Sequence, residues 1–254
     1  MQILNVTISE EAATRINDFC DGLRKPVRYI PNDHQANKII TSHGSVNAFL
    51  PDYYSVYLTV DLNQRYFEAN IIHELLHIKQ IEQNYPVLCN KPSQLYLTDG
   101  FFVEDIGVSI YSTVLDIGVN AGLCEIGYAD EVNWFAERNF AGLLSTSSHK
   151  YLNWDEKYNF ANLVIKYASV LYYTNCKQDN EVKASFKDYG KVLAVAFDIR
   201  ESLRKAAHNT PYTAAVTLGF IVDLLDLWDI HYIRYLDSKI RTQAEFEAFR
   251  AQYN

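Results

Sequence analysis

Ile71-Ile72-His73-Glu74-Leu75-Leu76-His77-Ile78 sets two imidazoles four residues apart in an apolar run, with a carboxylate directly after the first. Positions i and i+4 lie on one face of a helix, so both rings can reach a single metal ion. Glu74 then stands beside that ion, in place to take a proton from a water bound there. The flanking isoleucines and leucines predict a helix that is largely buried. Buried imidazoles need partners, because unpaired buried polar groups cost free energy. The alternative, two solvated histidines on a surface helix, fits these flanks poorly.

Upstream, residues 54–60 alternate Ser55, Tyr57 and Thr59 with Val56, Leu58 and Val60, the pattern of a strand. Asp61-Leu62-Asn63 is a good helix start, and the motif helix is predicted over 64–84, stopping before Pro86. Further strands are expected over 2–6, 27–30, 37–42 and 46–50, and a helix capped by Ser9 runs to about residue 23. After Pro92 the pattern is helical, over 101–127, 131–144, 155–175, 181–207 and 211–228. Pro211 sits at a first helical position, and Thr242 with Glu245 reads as a capping box for a last helix. The expected fold class is α+β. A small mixed α/β lobe over 1–90 ends in the motif helix, and a mostly helical lobe over 91–254 completes one catalytic unit.

Composition narrows the function classes. The chain has 254 residues, 48% hydrophobic and 21% charged, so it can bury a core and is not disordered. Its net charge of -8, without a long basic run, disfavours nucleic acid as a partner. Cys20, Cys89, Cys124 and Cys176 form no C-x-x-C pair and read as reduced thiols, so a cytoplasmic location is expected. No signal peptide is visible at the start. The longest apolar stretch is read at 213–222, broken by Asp223, and no membrane association is expected.

A catalytic zinc takes three protein ligands and leaves a fourth position open. His34, His43, His149, His208 and His231 have no informative spacing to the motif. The helix predicted over 101–127 is more useful. Its polar residues Asp105, Ser109, Ser112, Asp116 and Asn120 fall in one stripe on an otherwise apolar helix, and such a stripe must face water or a polar site. Gly107, Gly118 and Gly122 would allow close packing against the motif helix.

His73-Glu74-Leu75-Leu76-His77 followed by this acid-bearing helix resembles the zincin metallopeptidases, and among them the gluzincins. Gln80 and Gln83 stand where a metzincin has glycine and histidine, which excludes that class. The resemblance covers about a quarter of the chain. It implies Zn2+ as cofactor and hydrolysis of a peptide or protein substrate by a zinc-bound water that Glu74 activates. His73, His77 and an acid on the downstream helix would be the ligands. Asp116 fits that acid and Asn120 its partner one turn on, although Glu and Asp are usual there. Glu104, Asp105 and Glu125 are rivals for the ligand. Gluzincins commonly use a Tyr or His as oxyanion donor; Tyr111, Tyr128, His208, Tyr212 and His231 are all open. The strand at 54–60 is either the cleft edge that pairs with substrate or a buried strand of the sheet. The alternative function is a non-catalytic metal-binding or regulatory protein with a zincin-like fold. A helical interaction protein with no metal is a third reading.

Overall fold

The computed structural model describes residues 1–31, 44–47, 50–60, 62–91, 100–145, 156–206 and 210–252, with backbone alone for 44–47 and 100–105. The fold is mixed α/β, mostly helical, with small sheets. Two compact units emerge: Met1–Asn84 with Val119–Asn133, and Tyr85–Gly118 with Trp134–Asn254.

In the first unit the chain opens with a hairpin, β1 (Gln2–Ile3) and β2 (Val6–Thr7), in place of the single strand expected over 2–6. Leu4 and Asn5 form its two-residue turn at φ 50° and 67°, the left-handed values that tight hairpins require. Helix α1 (Glu10–Asp21) follows, and the Ser9 side chain accepts the Ala12 backbone N–H at 3.2 Å. Strands β3 (Val27–Pro31), β4 (Gly44–Asn47) and β5 (Tyr54–Leu58) form a sheet in the order β3-β5-β4. β5 runs parallel to β3 and antiparallel to β4. The strand expected over 37–42 lies outside the described residues.

The motif helix α2 (Gln64–Glu82) packs on β4 and β5 and on α1. Phe67, Ile71, Ile72, Leu75 and Ile78 join Val56, Leu58 and Ile16 in the core of this unit. A buried carboxylate pins α1 to α2: Glu68 accepts the Ser9 backbone N–H at 2.6 Å and its hydroxyl at 3.1 Å.

Helix α3 (Gly100–Glu125) is continuous and contributes to both units. Its last turns lie in the first, where Leu123, Tyr128 and Val132 enter the core. Arg65 of α2 holds this end, pairing with the buried Glu131 and donating to the Gly127 carbonyl at 2.8 Å. Residues Ile106–Glu125 are long and apolar enough to cross a membrane by length and composition, and half of that window is buried inside the protein. This stretch exceeds the one read at 213–222 as the longest.

The second unit holds α4 (Ala129–Ser145) beyond its first turn, α5 (Lys157–Tyr172), α6 (Cys176–Ser185), α7 (Gly190–Lys205), α8 (Pro211–Leu224) and α9 (Gln243–Ala251). It also contains a sheet that the sequence reading lacks: β6 (Val87–Asn90), β7 (His231–Tyr235) and β8 (Ser238–Ile240), all antiparallel. The helix expected over 181–207 is two helices, parted by a 3-10 turn at Lys187–Tyr189. At α9 the Thr242 side chain accepts the Glu245 N–H, whereas the Glu245 carboxylate accepts the Arg241 N–H, one residue beyond the Thr242 N–H of the expected capping box.

Candidate metal centre

Helix α2 carries the motif because a cap starts it and a core face seats it. The Asn63 side chain accepts the Tyr66 N–H at 3.2 Å. With Ile71, Ile72, Leu75 and Ile78 buried, His73 and His77 fall half-buried on one side, and Glu74 is only 4% exposed.

The two imidazoles converge. Their Nε2 atoms stand 3.1 Å apart, with the rings edge to face at a centroid distance of 4.7 Å. On its far side, His77 Nδ1 lies 3.1 Å from Gln80 Oε1. That oxygen only accepts, so the contact is a hydrogen bond in the tautomer that carries its proton on Nδ1, the one that turns the Nε2 lone pair toward His73. Two nitrogens at that separation share either a proton or a cation. Ligands 2.0–2.1 Å from a tetrahedral zinc are about 3.3 Å apart, so the observed spacing suits a shared metal ion.

Asp116 of α3 completes the group. One ligand atom each from His73, His77 and Asp116 lies within 4.8 Å of the others, and all three residues are half-buried. Among the described residues no other three His, Cys, Asp or Glu side chains gather in this way. Two imidazole nitrogens and a carboxylate oxygen are the donor set of an open catalytic zinc site.

Helix geometry separates Asp116 from its rivals. Glu104 precedes it by about 18 Å along the α3 axis and Glu125 follows by about 13 Å, at 1.5 Å per residue. Neither can share an ion with Asp116. Glu125 is exposed, and the side chains of Glu104 and Asp105 lie outside the described residues. Asn120 is half-buried one turn after Asp116.

The glycines of α3 play different parts. A Cβ on Gly122 would meet Leu76 of α2 at 3.5 Å, so α3 does run close to the motif helix there. Gly107 instead faces β6 and β7: a Cβ would stand 2.9 Å from His231 and 3.0 Å from Asn90.

Of the five oxyanion candidates, His208 lies outside the described residues. Tyr128 is buried, with the guanidinium groups of Arg15 and Arg65 5.9 and 5.4 Å from its ring centre. Tyr212 packs against Phe249 at 5.6 Å. His231 is fully buried on β7. Tyr111, on α3, is the one whose phenol feels Asp116. Burial, reinforced by that carboxylate and opposed by Arg234, pushes it up to about 12.

Strand β5 is the central strand of its sheet, paired on both sides, so it has no edge to offer a peptide. Its neighbour β4 pairs on one side only among the described residues. The sequence reading took Gln80 only as a mark against metzincins and missed its contact with His77; the i, i+3 spacing was the available signal. No protein-family model, curated protein or solved structure matches this chain.

Proposed function

We propose that this protein is a zinc-dependent metallopeptidase with a zincin-like fold of the gluzincin kind. One ligand atom each from His73, His77 and Asp116 within 4.8 Å of the others, with the buried Glu74 next to His73 in the helix, carries the reading. These three residues would hold Zn2+. When bound, the ion supplies Lewis acidity, polarising a carbonyl and bringing the pKa of water to about 7.

The protein's own groups do the rest. Gln80 fixes the His77 tautomer so that Nε2 presents its lone pair. Glu74 accepts a proton from water and returns it to the leaving amine. A metal site serving structure alone has no need of this buried acid, which favours catalysis over a non-catalytic metal-binding role. Tyr111 keeps its proton throughout the neutral range, as a hydrogen-bond donor to a substrate carbonyl oxygen must. An extended peptide substrate suits the side of β4 that no described strand pairs with. The four cysteines are free, in keeping with the reducing cytoplasm.

Zinc content and peptide cleavage together test the reading. Wild type should carry about one zinc per chain, and His73→Ala and Asp116→Ala should lose it. Glu74→Gln should keep zinc and lose cleavage of a peptide library. Wild type purified without zinc would overturn the proposal; wild type with zinc and no cleavage would favour the non-catalytic alternative.

A further inference from the structure

The β6-β7-β8 sheet has two chemically different faces. Its register puts Leu88, Ile233 and Ile240 side by side, and Ile233 and Ile240 are buried in the core of the second unit. On the opposite face Val87, Arg234 and Lys239 form one row. Cys89 and Tyr232 begin the next, and strand alternation brings Arg241 to its end. Arg234, Lys239 and Arg241 are all exposed.

This face carries three cations and no acid. Like charges directly opposite one another destabilise an antiparallel pair, and Arg234 stands directly opposite Lys239. None of the three makes an ion pair among the described residues. The Glu245 carboxylate accepts the backbone N–H of Arg241, and Asp237 sits in the β7–β8 turn. In a chain of net charge -8, such a cluster calls for an external anion. Its neighbourhood indicates which anion. Tyr111 of α3 feels both the Asp116 carboxylate and the Arg234 guanidinium, so the charge of this face acts on the same helix that carries the proposed ligand acid.

We infer that this sheet face recognises an acidic segment of the polypeptide substrate, with Arg234 and Lys239 binding neighbouring carboxylates and Arg241 the next. Calling the partner a substrate rests on the peptidase reading; binding of an acidic peptide does not. A long nucleic acid fits less well, because three cations must outweigh a surface that is negative overall.

The test is fluorescence anisotropy with a labelled Glu-rich peptide and the full chain, with zinc and after EDTA treatment. Wild type should bind in both states, and binding should weaken as salt is raised. The combined variant Arg234→Gln, Lys239→Gln, Arg241→Gln should bind about tenfold more weakly or worse. Glu74→Gln should bind like wild type. The exchange Arg234→Lys with Lys239→Arg keeps the charge and should keep the binding, which guards against misfolding of the neutral variant. Equal binding by wild type and a folded neutral variant overturns the inference, as does displacement of the peptide by single-stranded DNA at lower concentration than by unlabelled peptide. Peptide binding without any zinc or cleavage would sink the peptidase reading alone. Cleavage that persists while the neutral variant binds unchanged would sink this inference alone.

Discussion

At His77 both ring nitrogens are committed, Nε2 toward His73 and Nδ1 toward Gln80, each at 3.1 Å. A ligand histidine oriented in this way binds metal more tightly than a freely rotating one, so Gln80→Ala should lower zinc affinity about 10- to 100-fold, as read by chelator competition. Gln80→Glu keeps an acceptor and should hold most of the affinity. If Gln80→Ala bound zinc like wild type, the contact would be packing only. Asp116 is the shorter of the two acids that can serve as ligand, and a Cβ on Gly122, farther along α3, would make only ordinary van der Waals contact with Leu76. The motif residues were legible in the sequence because i, i+4 spacing is a local property. Asp116 was legible only as one of several acids on a stripe, because periodicity gives a face and not a height along the axis.

Elements with a strong local signal appear where the sequence places them. The alternating residues of β5, the Asn63 cap of α2 and the Thr210-Pro211 start of α8 all encode their structure within a few residues. Elements decided by distant partners were missed. β6 is separated from β7 by some 140 residues, and its short run Val87–Asn90 has no alternation of its own. The break between α6 and α7 follows from aromatic packing: the Phe186 ring docks on Tyr167 at 5.2 Å and Tyr189 at 6.0 Å, which turns the chain where helical periodicity would continue. Asn175 and Gln178 form a true capping box for α6, a signal present in the sequence but not read there. The α8–α9 pair depends on a glycine. A Cβ at Gly219 would fall 2.1 Å from the Phe246 ring, which is itself fully buried. Gly219→Ala should therefore destabilise the fold by about 1–3 kcal/mol, seen as a lower denaturation midpoint with zinc content unchanged. An unchanged midpoint would mean that α9 can shift to make room.

For the whole molecule, stability depends on pH through a histidine outside the proposed metal centre. Burial holds the His231 imidazole down at about 4, only partly offset by Asp229, against an ordinary value of 6.5. Below pH 6.5 the unfolded chain binds a proton that the folded chain refuses until about pH 4, so stability falls as pH drops through that window. The full effect is about 3 kcal/mol. His231→Gln should flatten this dependence in urea titrations between those two pH values; an unaltered slope would show that His231 is not responsible. Sequence alone determined the His73 and His77 pair, the adjacent Glu74, the helix that carries them and the mixed, mostly helical character of the chain. Each of these follows from spacing and burial pattern over fewer than about ten residues. Tertiary structure decided that a carboxylate of α3, Asp116, lies near the two histidines, and that β6 and β7 form a sheet with one cationic face. These depend on which distant segments meet, and local periodicity carries no information about that.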